Sequence, residues 1–298
     1  MATKQKILLP AIQGIVPGSP VGTVGTINCP INYRYANIQL VYVDGGSSPN
    51  DILAMFDDIL VFRGVKVQRT HTASELDHLN NLNGSQYARQ QVNTGANMRQ
   101  SLMIHFLEPW RKDKVDSDAG AWVVTPANGF KTFQITIKLA TAMPSTASII
   151  AYAWVDAPLN IPAGKSQGIK KVYRQNIPAS GTSVDVVTLD ESDFYQTICL
   201  KNPSGAGYIT KVNFKRNGDT FFENVVREDN IAHLVNLNMN PATSTTTGAF
   251  GFDMVFDADD PTNSALQAQG QALWLQPVFN TAANGNVIAL IERVGTAD

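Results

Sequence analysis

The sequence predicts an all-β protein made of two tandem antiparallel β-domains with a few short helices. Three observations predict this fold class: segments of alternating apolar and polar residues recur along the chain, turn residues separate them, and the two halves repeat one order of elements. Because successive side chains of a strand point to opposite faces of a sheet, alternation indicates strands with one buried face. Many such strands with turns between them are typical of sandwiches and barrels.

Strand-like segments cover most of the chain. Alternation is clearest at 133–139, 208–214 and 250–256. Further strands are predicted at 38–43, 101–107, 149–155, 184–189, 195–201, 273–279 and 287–294. Turns rich in Asn, Gly, Asp and Pro lie between these segments, as at Asn128-Gly129 and Asn284-Gly285.

Helical patterns are few and short. Leu76, Leu79 and Leu82 share one face of a predicted helix at 74–82, and a second helix is predicted at 231–237. Residues 51–60 and 221–227 are predicted to form further short helical turns.

The two halves of the chain resemble each other. Residues 76–83 (LDHLNNLN) resemble residues 231–238 (IAHLVNLN), and in both halves a glycine turn precedes the helix and strands follow it. Several similarities in one order indicate duplication of a β-domain. We therefore expect the halves to superpose, with Leu79 and Leu234 buried at matching positions.

A segment without periodicity lies near the middle of the chain. Residues 158–168 contain two prolines and two glycines, which is typical of a linker. The predicted domains are therefore 1–157 and 169–298. Polar loops at 84–100 and 240–248 follow the short helix of each copy, and we expect them to project together at one end.

Composition limits the partners. Hydrophobic residues make up 44% and charged residues 16% of the 298 positions, and the formal net charge is −2. Tight binding to nucleic acid needs clustered Lys and Arg, and no basic run occurs, so no direct, tight nucleic-acid binding is expected. Pro10 interrupts the only apolar run near the N-terminus, so we expect synthesis in a cytoplasm.

The order of elements over roughly 30–295 resembles that of a known family. The segments 35–40, 102–109, 208–222 and 250–256 carry the resemblance, together with the turn at 216–220 between a strand and a predicted short helix. They resemble the double jelly-roll major capsid proteins of tailless, icosahedral, membrane-containing bacteriophages. The corticovirus type, within the adenovirus hexon lineage, is the most similar.

This resemblance implies two eight-stranded antiparallel jelly rolls that stand upright in a virion shell, in a chain made in the host cytoplasm. It also implies a homotrimer whose six jelly rolls form a pseudo-hexagonal tile of an icosahedral capsid. The implied partners are neighbouring trimers, penton or minor capsid proteins and an internal viral membrane.

Two acidic groups are candidates for Ca²⁺, which prefers several hard oxygen ligands. One comprises Asp253, Asp257, Asp259 and Asp260, and the other comprises Asp113, Asp116 and Asp118. Neither has the spacing of a known calcium loop, so solvated polar turns remain the alternative.

Other chemistry has weaker support. His71, Glu75 and His78 have metal-ligand residue types, but Thr72 or Ser74 with Glu75 also matches a capped helix start. The sequence has no His-x-His pair of a cupin, no Gly-x-Ser-x-Gly motif and no phosphate-binding loop, so no enzyme is expected.

A carbohydrate-binding β-sandwich module, as in a viral spike or lectin, is the alternative. Four tryptophans carry it, because an aromatic ring can stack on sugars: Trp110, Trp122, Trp154 and Trp274. An exposed tryptophan on a concave face and no trimer would favour this alternative.

Overall fold

The computed structural model describes residues 4–46, 50–93, 97–111, 120–128, 131–157, 168–185, 194–217, 219–256, 266–267 and 273–296. The chain divides into two compact units: unit 1 comprises 1–81, 85–170 and 296–298, and unit 2 comprises 82–84 and 171–295. Of the predicted linker, residues 158–167 lie outside the described residues, and the predicted domain limits stay a prediction.

Strands dominate both units. In unit 1 they are β1 (Gln5–Leu8), β2 (Val24–Asn28), β3 (Tyr33–Asp44), β4 (Phe56–Arg63), β5 (Lys66–His71), β6 (Gln90–Val92), β7 (Met98–His105), β8 (Trp122–Val124), β9 (Phe133–Leu139) and β10 (Ala147–Asp156). Then follow β11 (Gly168–Ser183), β12 (Phe194–Lys201), β13 (Ile209–Arg216), β14 (Asp219–Val226), β15 (Phe250–Val255), β16 (Leu266–Gln267) and β17 (Leu273–Thr296). Within the described residues, the α-helices are α1 (Ile52–Met55), α2 (Ala73–Leu82) and α3 (Arg227–Asn236), and 3-10 turns cover Ser85–Tyr87 and Pro126–Asn128.

Unit 1 is a jelly roll of two antiparallel sheets. One sheet has the order β1-β10-β3-β7-β6 with β8 beside β3, and the other contains β2-β9-β4-β5. Without the short β6 and β8, each sheet has four strands, and consecutive strands change sheet at every step except the β4–β5 hairpin, which is the Greek-key order of a jelly roll. The predicted eight-stranded jelly roll is therefore confirmed in this unit.

Unit 2 repeats the order of elements. β13 lies between β14 and residues 273–279 of β17, while β12 pairs with β15, β16 and residues 289–294 of β17. Thus β12-β13-β14-α3-β15 repeats β3-β4-β5-α2-β7. Leu79 on α2 and Leu234 on α3 are both buried, as the duplication predicts.

Several local predictions are wrong. Residues 221–226 form strand β14 instead of a helical turn, because they pair with β13 in a hairpin that sets Phe222 against Phe214. Of the helical turn predicted at 51–60, only α1 is helical, and the chain continues as β4 beside β9. The loop predicted at 84–100 contains β6 and the start of β7, which pair with each other. The strand predicted at 184–189 lies mostly outside the described residues.

Apolar side chains from both sheets of unit 1 form one core, with aromatic rings at its centre. The ring centroids of Phe106 and Trp122 lie 4.7 Å apart, and those of Tyr35 and Phe133 lie 4.9 Å apart. Unit 2 has its own core, in which the centroids of Phe214 and Phe256 lie 5.3 Å apart. Across the described residues, no helix has the length and apolar content to cross a bilayer.

Candidate functional site

A buried ionic cluster lies in unit 1 where the chain leaves this unit. We call it the Glu108 cluster; it comprises Arg69, His105, Glu108, Arg111 and Lys170, all of them almost completely buried. One oxygen of the Glu108 carboxylate pairs with the Lys170 ammonium and the other pairs with the Arg111 guanidinium. Buried charges are tolerated only when they are paired, so these contacts depend on one another.

Arg69 connects three strands within the Glu108 cluster. From β5, its Nη1 donates to the carbonyl oxygen of His105 on β7 at 2.7 Å, and its Nε donates to that of Lys170 on β11 at 3.1 Å. Its guanidinium carbon lies 5.1 Å from the centroid of the Phe106 ring. Arg69 therefore fixes the backbone at Lys170, the last residue of the main segment of unit 1.

Burial and charge shift two pKa values in the Glu108 cluster. Burial alone would raise the pKa of Glu108, but the positive charges of Lys170 and Arg111 lower it to about 2. Burial, together with the positive charges of Arg69 and Lys170, lowers the pKa of His105 to about 3. The imidazole of His105 is therefore neutral at neutral pH while Glu108 carries its charge.

The lowered pKa of His105 predicts a loss of stability in mild acid. Below about pH 6.5 an unfolded chain protonates this histidine, whereas the folded chain does so only near pH 3, so stability falls across this window as the pH drops. His105→Phe should flatten this dependence between pH 6.5 and pH 5, because phenylalanine preserves ring packing without titrating. Urea unfolding of both proteins at several pH values measures it, and equal pH slopes would contradict it.

Aromatic rings cover the Glu108 cluster. The rings of Tyr87, His105 and Trp110 meet edge to face with centroids 5.5 to 5.8 Å apart, and the Lys170 ammonium lies 5.2 Å from the Trp110 centroid. Such cation–π contacts stabilise a desolvated ammonium.

Trp110 packs against these groups, and the other three tryptophans also lack an exposed face on which a sugar could stack. Trp122 is fully buried in the core of unit 1. Trp154 and Trp274 are half-buried, and a lysine ammonium covers each ring, that of Lys6 at 4.7 Å and that of Lys215 at 4.9 Å from the centroid. This arrangement disfavours the carbohydrate-binding alternative.

A buried carboxylate fixes the loop after β3 in unit 1. The oxygens of Asp44 accept hydrogen bonds from the Tyr42 hydroxyl, the Thr146 hydroxyl and the backbone N–H groups of Gly46 and Asn50, at 2.9 to 3.1 Å. Burial would raise the pKa of Asp44, but these donors lower it below its usual value. The loop is therefore held to the sheet by a charge that stays ionised.

Part of the loop predicted at 84–100 is attached to the same region, next to the loop after β3. The Arg89 guanidinium donates to Asp51 at 2.6 Å and to the side-chain oxygen of Gln100 at 3.2 Å. The same Gln100 oxygen accepts the N–H of Ile52 at 2.9 Å. The loops that follow β3 and α2 therefore form one connected surface in unit 1.

In unit 2, buried side chains fix the loop at 240–248. Arg227 donates from Nε to the carbonyl oxygen of Gly251 at 3.0 Å and from Nη2 to that of Thr243. The Asn202 amide donates to the carbonyl oxygens of Ser244 and Thr246 at 2.9 and 3.0 Å.

The close approach of Asn202 also explains the glycine at 251. A Cβ atom there would overlap the Asn202 amide, so a larger residue would displace this anchor. The polar composition of the loop at 240–248 predicted that it is exposed. Its attachment could not be predicted from the loop itself, because Asn202 and Arg227 lie outside it.

Asp253 is placed by the structure, whereas Asp257, Asp259 and Asp260 lie outside the described residues, as do Asp113, Asp116 and Asp118. Asp253 is buried, and its Oδ2 accepts the backbone N–H of Ala242 at 2.6 Å. Its carbonyl oxygen accepts the side-chain amide of Asn230 at 2.7 Å. The residue therefore fixes the start of the loop at 240–248, and calcium binding at this group stays a prediction.

Helix α2 begins with a cap within the segment that contains His71, Glu75 and His78. The Glu75 carboxylate accepts the backbone N–H of Thr72 at 2.8 Å, and the Thr72 hydroxyl accepts that of Glu75 at 3.1 Å. This reciprocal pair is a capping box. It confirms the cap interpretation of these residue types.

Comparison with known proteins agrees with this architecture. Residues 6–156, just over half of the chain, match the family model of the viral coat protein P2 N-terminal domain. The chain belongs to this family of viral coat proteins. No curated protein sequence matches it significantly.

Solved structures share the fold of this P2-family chain over its whole length. The major capsid protein P2 from bacteriophage PM2 is 15% identical, with 99% of this chain and 98% of that chain covered and a TM-score of 0.75. The PBCV-1 virus capsid is 10% identical, with 99% and 95% covered and a TM-score of 0.60. The Faustovirus major capsid protein is 7% identical, with 99% and 90% covered and a TM-score of 0.59.

The fold and the family together confirm the resemblance. The chain is a double jelly-roll major capsid protein, and its location is the virion capsid. As such proteins do, it associates with its own copies in a capsid lattice.

Proposed function

We propose that three copies of this chain form a trimer whose six jelly rolls surround one axis and make a pseudo-hexagonal tile of an icosahedral shell. The observation that carries the proposal is the repeated order β3-β4-β5-α2-β7 and β12-β13-β14-α3-β15 within one chain. A chain with two similar domains can close a three-fold ring in which each domain meets the unlike domain of the next copy.

Apolar side chains at the surface of unit 1 support extensive contact between copies. Leu8, Val16 and Val21 are each more than half exposed, and Val24 is half exposed. In the turn between β4 and β5, Val65 is 93% exposed. We propose that contacts between copies cover these exposed apolar side chains, because burial of apolar surface favours association.

Mass measurement tests the trimer. Native mass spectrometry of dilute protein should find three chains of 32.3 kDa, held by interfaces of about 2,000 Å² per pair, as is usual for obligate contacts. Measurements with and without calcium also test the ion predicted at Asp253, Asp257, Asp259 and Asp260. A chain that stays monomeric at micromolar concentration in both conditions would contradict the proposed assembly.

We further propose that the trimers contact neighbouring trimers, penton or minor capsid proteins and an internal viral membrane. The small net charge and the lack of a basic run support a shell that makes no tight, direct contact with nucleic acid. We also propose that the loops at 84–100 and 240–248 project together at one end of the molecule.

A further inference from the structure

A groove crosses one face of the sheet β1-β10-β3-β7-β6 in unit 1. It has a volume of about 440 Å³, within the range of ligand clefts. These five strands all contribute to its lining, which includes Lys6, Gln39, Gln90, Val92, Arg99 and Tyr152. Among the described residues that line it there are two cations and no acidic side chain, so the groove is complementary to negative charge.

The two cations are available to a ligand. The Lys6 ammonium lies 4.3 Å from the ring centroid of Tyr152, which holds it at the groove while leaving its N–H donors free for a carboxylate. The Arg99 side chain is exposed on β7. In the described part of the chain, no carboxylate pairs with either cation. The planar guanidinium of Arg99 matches a carboxylate in two parallel hydrogen bonds.

The hydrogen-bonding needs of Gln39 favour a peptide over a simple anion as the ligand of the groove. Its Oε1 is buried and has no hydrogen-bond partner among the described residues. A buried acceptor without a donor is costly, and an ionised carboxylate or phosphate has no donor to offer it. A peptide backbone supplies N–H groups for Gln39, while acidic side chains of the same segment reach Lys6 and Arg99.

We propose that this groove binds an extended acidic segment of a second copy of this chain, an inference that rests on the proposed assembly. The chain itself contains two short stretches with three carboxylates in four residues, 190–193 (DESD) and 257–260 (DADD). Both stretches belong to unit 2 and lie outside the residues that the structure describes. Contact through the groove then joins copies by charge as well as by apolar surface.

Peptide binding to the full-length protein tests the proposal. Fluorescein-labelled peptides that copy residues 188–194 and 255–261 are titrated with protein, and fluorescence anisotropy reports binding. At least one peptide should bind, and Arg99→Ala should weaken it about tenfold, because a charge-assisted bidentate contact is lost. Lys66→Ala removes the same charge from an exposed position on β5 of the other sheet and should leave binding unchanged.

The groove assignment is wrong if neither peptide binds, or if Arg99→Ala leaves the affinity as unchanged as Lys66→Ala does. It is also wrong if peptides with Asn and Gln in place of Asp and Glu bind equally well. Native mass spectrometry of the same samples separates this result from the proposed assembly. A trimer without peptide binding contradicts the groove alone, whereas a monomer contradicts the assembly.

Discussion

Replacement of Glu108 with glutamine should lower the free energy of unfolding by about 3–5 kcal/mol, the usual cost of removing one partner of a buried ion pair. The amide has nearly the same shape as the carboxylate, so the change removes charge and little volume. Lys170 and Arg111 would then both lose the buried carboxylate that pairs with them, beside the guanidinium of Arg69. Few single substitutions in this chain should cost more.

Chemical denaturation followed by tryptophan fluorescence measures this loss, because Trp110 packs on Lys170. Asp57→Asn is the matched control: Asp57 also pairs with a lysine, Lys138, but both side chains are more than 40% exposed. Exposed pairs contribute little, so this control should change stability far less. Equal effects of the two substitutions would show that the Glu108 cluster has no special role in stability.

The strands that local pattern predicts best are those with one buried face. In β9, residues 133–139 alternate between buried and half-buried positions along their whole length, as their sequence predicts. The duplicated helices were also predictable, since Leu79 and Leu234 face inward in short amphipathic segments. In both cases the local period matches the burial that tertiary packing imposes.

β14 shows where local pattern fails. Its sequence contains Glu223 and Asn224 between apolar residues and has no clear period of two. Pairing with β13 includes two register shifts, and Asn224 has a positive φ of 50° beside them. Irregular pairing of this kind disrupts alternation, and only the partner strand defines the structure.

The Glu108 cluster was not predictable for a different reason. Its members are far apart in sequence, at Arg69, His105, Glu108 and Lys170, and only the jelly-roll topology brings β5, β7 and the start of β11 together. One signal was present in the sequence: Glu108 directly follows the apolar strand segment 102–107 and lies three residues before Arg111. A charge at the end of an apolar segment indicates a paired buried group, but it does not identify the partner.

Arg227→Ala should detach the loop at 240–248 and lower the free energy of unfolding of unit 2 by about 3 kcal/mol, since a buried charge-assisted network is lost. The carbonyl oxygens of Gly251 and Thr243 would lose their donor inside the protein. The loop keeps its contacts with Asn202, so the fold of the unit should persist while the loop loosens.

Hydrogen exchange resolves this effect by position. Exchange should quicken at the N–H of Gly248, which donates to the carbonyl oxygen of Asn202, and at that of Ala242, which donates to Asp253. Glu228→Ala is the control, because Glu228 pairs with the same arginine at 3.2 Å but is 67% exposed. It should leave both exchange rates and the stability nearly unchanged. If Arg227→Ala alters exchange no more than Glu228→Ala, the loop is held by Asn202 and Asp253 alone, and Arg227 is not its anchor.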